Sequence, residues 1–240
     1  MAGQSKKVLI GLTTFEDSDW RDKANEIAQF GITELSLLPN YLSIAERKEL
    51  YGILKQTPLQ SIPHVNLAED TEEWELDYLI QNYGTKVFTA PATKEGYKMM
   101  TSLPKYNTMI FMENGEDGNK NKFFNDLLFD KYQVHGISLD FAHLENERYI
   151  SKPSYKKTVL MLEKYPIGCN QVRGVNRNSL SKLFKKPIHD HNLKTLEQLD
   201  YLREHPREYF SPFVVIELSN SLMEQQEIKQ YIEEVLLSQV

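Results

Sequence analysis

The chain has a single cysteine, Cys169, among its 240 residues. No disulfide can form within it, and a reducing, cytoplasmic setting is expected. No apolar run approaches the ~20 residues that a membrane-spanning helix needs, so no membrane partner is expected. Behind Lys6 and Lys7 the apolar stretch stops at Leu12 with no small-residue cleavage site, which argues against a secretory leader. An excess of basic residues is also missing. The net charge of −6 and a pI near 5.6 speak against a protein that holds a phosphate backbone, and no nucleic-acid partner is expected. Leu12-Thr13-Thr14-Phe15-Glu16 contains no G-x-G-x-x-G turn, which weakens the case for a doubly wound nucleotide-binding sheet. No low-complexity linker divides the chain. Residues 1–240 are therefore expected to form one domain, and a hydrophobic content of 40% can fill its core.

Three short apolar runs each end in a carboxylate: Met109 to Met112 before Glu113, Ile137-Ser138-Leu139 before Asp140, and Phe213 to Ile216 before Glu217. A segment that is apolar through its middle and acidic at its C-terminal end reads as a buried parallel strand delivering a charge to the rim of a sheet. Carboxylates converging on one rim repel one another, so a cation is expected between them, and a divalent metal is the first candidate.

The rest of the chain alternates strand and helix. Strands are expected over Val8–Leu12, Leu35–Leu38, Leu59–Val65, Val87–Thr89, Thr108–Met112, Val134–Phe141, Ile167–Val172 and Phe213–Leu218. Ser18, Thr71 and Ser154 are expected helix N-caps, and Gly31 is an expected C-cap. Helical spacing runs through Ile44–Lys55, Tyr97–Leu103, Lys122–Tyr132, Leu196 to Leu202 and Ile228 to Leu236, with an insertion around Pro187. Eight βα units of about 30 residues match a single (β/α)8 TIM barrel, an α/β fold of typically ~250 residues.

Several polar residues fall at the same rim. His143 follows Asp140 by three residues, and the two could act as ligands or as an acid/base pair, although an Asp at that point also caps turns. His189 and His191 would face the same way on an extended segment, and His64 ends the third strand, where a buried, satisfied histidine is the plain alternative. Alternation along Gly168-Cys169-Asn170-Gln171-Val172-Arg173 puts Gln171 and Arg173 on one face. A surface salt bridge is the plain alternative for Arg173. His135 and His205 fall elsewhere and read as structural.

Glu113-Asn114, Leu139-Asp140-x-x-His143, His189-x-His191 and Ile216-Glu217, with Ala28 to Leu35 and Pro63-His64, together resemble the xylose isomerase-like TIM-barrel superfamily. That group includes sugar and sugar-phosphate isomerases and epimerases and the family-2 apurinic endonucleases. The resemblance spans nearly the whole chain and implies that Glu113, Asp140 and Glu217 ligate a divalent metal. The family's seventh-strand histidine is absent, and Gln171 is the best match for that ligand. An amide oxygen suits Mn²⁺ or Mg²⁺ better than Zn²⁺. Val87 to Pro91 lacks the strand-four histidine of the endonuclease branch.

The resemblance further implies that Glu113 and Glu217 exchange a proton with a sugar or sugar phosphate, while His143 holds a substrate oxygen or orients a ligand. His64, Arg173, His189 and His191 would bind substrate, with Arg173 placed for a phosphate or carboxylate. The expected activity is metal-dependent isomerisation or epimerisation. A sugar-binding barrel without catalysis, a dehydratase of a cyclic polyhydroxy acid and an endonuclease-type phosphodiesterase are the alternatives. The family favours a dimer or larger assembly.

Overall fold

Residues 6–15, 18–115, 120–177 and 188–238 are described in the computed structural model. The strands are β1, in two pieces, Lys7–Leu9 and Gly11–Thr13, then β2 (Ser36–Leu38), β3 (His64–Asn66) and β4 (Val87–Pro91). They continue with β5 (Ile110–Glu113), β6 (Ile137–Asp140), β7 (Ile167–Val172) and β8 (Phe213–Ile216). Every pairing among them is parallel and follows chain order. The first piece of β1 pairs with β8 and the second with β2, so the ring closes through β1. This is the expected (β/α)8 barrel.

The break in β1 has a local cause. A Cβ at Gly11 would sit 2.1 Å from the Ile216 carbonyl oxygen, so only glycine allows this approach. The Gly11 N–H donates to Gln225 Oε1 at 2.7 Å, and Gln225 Nε2 donates back to the Gly11 carbonyl at 3.1 Å. A side chain from the last helix thus supplies the hydrogen bonds that the adjoining strand does not.

Around the sheet run α1 (Trp20–Phe30), α2 (Ile44–Leu54), α3 (Glu73–Tyr83), α4 (Lys94–Ser102), α5 (Asp126–Tyr132), α6 (Phe141–Ile150), α7 (Lys152–Lys164) and α8 (Leu222–Ser238). Their apolar faces and the outward faces of the strands form the main core, from Val8 and Trp20 through Phe88 to Val235. A smaller cluster of Leu9, Leu38, Val87, Phe111, Cys169 and Val215 fills the barrel interior. Gly168 makes room there, because a Cβ would lie 2.4 Å from the Phe111 ring. Among the described residues no helix is long and apolar enough to cross a membrane.

Several boundaries differ from expectation. The cap of α1 is Asp19, whose side chain accepts from the Arg21 and Asp22 amides, and α3 starts after Glu72; Ser18 and Thr71 each lie one residue too early. The sixth strand stops at Asp140 rather than Phe141, because the Asp140 side chain accepts from the His143 amide and opens α6 directly. The next helix begins at Lys152, before Ser154. The third strand shortens to His64–Asn66, and Leu196–Glu204 forms a 3-10 helix. The segment 178–187, which holds Pro187, lies outside the described residues.

Candidate active site at the barrel rim

Alternation along the last four strands delivers polar side chains inward at their C-terminal ends. Phe111 is followed by Glu113, Ser138 by Asp140, Cys169 by Gln171 and then Arg173, and Val215 by Glu217. The Arg173 guanidinium lies among all three carboxylates. Its Nη2 donates to Asp140 Oδ2 and lies 3.6 Å from Glu113 Oε1, while Nε is 3.5 Å from Glu217 Oε2. The same Nη2 is 3.0 Å from His143 Nε2, and Nη1 is 3.2 Å from His191 Nε2. Arg173 is 4% exposed, which sets aside a surface salt bridge as its explanation. The cation expected between the carboxylates is, in this arrangement, a guanidinium.

Asp140 uses both carboxylate oxygens. Oδ1 caps α6 through the His143 amide at 3.0 Å, and Oδ2 takes Arg173. Asn114 fixes its backbone, with Oδ1 accepting from the Asp140 amide at 2.6 Å and Nδ2 donating to the Asp140 carbonyl at 3.1 Å. The Asn114 carbonyl lies 2.8 Å from His143 Nδ1, so this nitrogen carries the proton and Nε2 is left to accept from Arg173. His143 Nδ1 is also 3.4 Å from Glu113 Oε1. The ligand atoms of Glu113, Asp140 and His143 lie within 4.8 Å of one another, a donor set that could hold a divalent ion.

The two buried carboxyls are pushed apart. Burial raises Asp140, but the Arg173 charge and then His143 outweigh it and leave its pKa at about 2. Burial also raises Glu217, Arg173 opposes this, and the neighbouring Glu113 and Asp140 charges add to the rise, which reaches about 8. These surroundings favour the charged form of Asp140 and the protonated form of Glu217.

The other expected site residues divide. His191 lines the cavity against the Phe15 ring, 4.1 Å between centroids, and its carbonyl accepts from the Ser219 amide at 2.7 Å. Burial, followed by the Arg173 charge, lowers its pKa to about 3, so the ring is neutral and accepts from Arg173. His189 lies opposite Val175 in a short antiparallel strand pair, and its ring packs edge-on against His143 at 5.4 Å. His64 is fully buried, with Nδ1 2.7 Å from Ser36 Oγ and Nε2 2.8 Å from Thr89 Oγ1. It belongs to a chain of polar groups across the barrel that continues from Thr89 to Ser138, and it is not part of the cavity lining. Gln171 is fully buried opposite Asp140 in the ladder, and among the described residues neither its Oε1 nor its Nε2 has a hydrogen-bond partner.

The cluster floors a cavity of about 380 Å³, lined by Glu113, His143, Arg173, His191 and Glu217 together with Asn40, Tyr41, Asn66 and Thr93. That volume suits a small ligand, and the asparagine amides offer donors and acceptors for hydroxyl groups. Asn66 follows His64 by two residues on β3, so strand alternation already marks it as the next inward residue toward the rim. Asn40 and Tyr41 lie in a loop and carry no periodic signal.

Neither a protein-family model nor a curated protein matches the sequence. Among solved structures, the zinc-bound IolI protein superposes with a TM-score of 0.54 at 13% identity, covering 98% of this chain and 99% of that one. The phospho-2-dehydro-3-deoxyheptonate aldolase of Thermotoga maritima superposes with a TM-score of 0.50 at 9% identity, covering 98% of this chain and 70% of that one. The 3-keto-D-glucoside 4-epimerase of E. coli superposes less well, with a TM-score of 0.43 at 12% identity, covering 95% of this chain and 99% of that one. The first two likenesses show the fold, a (β/α)8 barrel.

Proposed function

We propose that the protein is an isomerase or epimerase of a small sugar or sugar phosphate and works by moving a proton through the rim carboxyl groups. The observation that carries this reading is the split between Asp140, charged with a pKa of about 2, and Glu217, protonated with a pKa of about 8, around one guanidinium. Two carboxyl groups pushed apart by their surroundings mark an acid and a charged partner. Asp140 keeps its charge, anchors Arg173 and holds α6, while Glu217 offers a proton to a substrate oxygen or carbon.

Glu113 sits at the cavity edge beside His143 and is the group placed to take the proton next to the carbonyl. His191 and Asn66 line the wall, where they can orient sugar hydroxyls.

The donor set fits a divalent ion, since carboxylate and amide oxygens are hard ligands and the Gln171 amide is unpartnered. Glu113, Asp140, Glu217 and Gln171 would hold it, Glu217 giving up its proton as it binds, with Mn²⁺ or Mg²⁺ preferred over Zn²⁺, and bound there it would polarise the substrate carbonyl. Binding of a sugar without turnover is the second reading, favoured by the contacts of Arg173 with all three carboxylates.

NMR of the protein incubated with small aldoses, ketoses and their phosphates, with and without Mn²⁺, tests the proposal. Interconversion of one class, lost in Glu113→Gln, is expected. Saturable binding with no interconversion of any sugar tried favours the second reading.

A further inference from the structure

Each of the three carboxylates, and His143, turns one atom toward the Arg173 guanidinium. Nη2 reaches Asp140 Oδ2, His143 Nε2 at 3.0 Å and Glu113 Oε1 at 3.6 Å, and Nε lies 3.5 Å from Glu217 Oε2. The ligand atoms of Glu113, Asp140 and His143 span no more than 4.8 Å, which leaves room for one ion-sized group between them. A divalent ion bonds carboxylate oxygens at about 2.0–2.6 Å and would overlap Nη2. Two cations in one buried site also repel each other strongly.

Two further observations point to a second arrangement of the same residues. Among the described residues the fully buried Gln171 amide has no hydrogen-bond partner at either atom, and Glu217 Oε2 has no hydrogen bond. Buried polar atoms are rarely left so, and both are oxygen-bearing groups of the kind a hard divalent ion takes as ligands. Arg173 also lines the cavity of about 380 Å³, which gives its side chain somewhere to turn.

We propose that Arg173 and a divalent ion are alternative occupants of the carboxylate cluster, so that an ion binds only as the guanidinium turns out into the cavity. This rests on the metal-binding part of the proposed function and not on turnover. The residue acts as a built-in competitor that keeps ion affinity low and offsets part of the cluster's negative charge when no ion is present.

Calorimetric titration with Mn²⁺, in the absence of any sugar, compares the natural protein with Arg173→Met. The variant is expected to bind Mn²⁺ at least ten-fold more tightly and to gain more in melting temperature at saturating Mn²⁺. Equal or weaker binding by the variant, or no binding by either protein, overturns the proposal. Because removing the guanidinium leaves three carboxylates facing one another, the variant can fail to fold. Crystals of the natural protein soaked in Mn²⁺ then decide. An anomalous peak among Glu113, Asp140 and Glu217 with Arg173 turned into the cavity supports exchange. An ion there with Arg173 unmoved, or no ion there, overturns it. No substrate enters these measurements, so ion exchange and sugar isomerisation stand or fall separately.

Discussion

Arg173 and Asp140 are paired through one carboxylate that performs two tasks, with Oδ2 accepting from the guanidinium and Oδ1 capping α6. Breaking a buried ion pair by removing one partner typically costs about 3–5 kcal/mol, and losing an N-cap costs about 1 kcal/mol more. Asparagine still caps helices but carries no charge. Asp140→Asn is therefore expected to lower unfolding stability by about 3 kcal/mol in urea titrations, and Asp140→Ala by about 1 kcal/mol beyond that. Equal losses in the two variants would deny the capping role.

Glu217 makes the stability of the metal-free protein depend on pH in a particular direction. Its pKa rises from 4.5 to about 8 on folding, chiefly through burial, so the folded state holds a proton that the unfolded state releases. The stabilising contribution is complete below about pH 4.5, falls as pH rises toward 8, and is flat above that. The difference in unfolding free energy between the natural protein and Glu217→Gln should shrink across this interval. A difference that grows with pH there would contradict the protonated state assigned to Glu217.

Gln225 joins the last helix to the first strand. Gln225→Leu leaves the Gly11 N–H, now 2.7 Å from Oε1, without a partner inside the barrel wall. An unsatisfied buried donor costs about 1–3 kcal/mol, and the lost bonds to the Gly11 and Asn220 carbonyls add to this. A loss of about 3 kcal/mol and faster hydrogen exchange at the Gly11 amide are expected. Unchanged exchange would show that the strand break does not depend on Gln225.

Much of this architecture was legible in the sequence because buried parallel strands appear as short apolar runs. Ile167–Val172 matches at both ends, and the inward alternation of Gln171 and Arg173 follows from the strand period. Helix α6 was not legible. From Phe141 to Glu147 every residue is buried, Glu145 and Glu147 included, so no polar face marks it as amphipathic. The fate of Arg173 was half legible: the period gives its face, but a long side chain can reach out to a ligand or fold back onto neighbouring carboxylates, and only packing decides. His64 reads as a rim residue until Ser36 and Thr89, distant in sequence, are brought against its two nitrogens.

Proton transfer through the Glu113 and Glu217 carboxyl groups leaves a solvent-isotope signature. With an interconverted sugar in D₂O, deuterium is expected at the carbon next to the carbonyl, and its loss in Glu217→Gln while substrate binding persists. Conversion that proceeds without deuterium uptake, or uptake undiminished in Glu217→Gln, would contradict it.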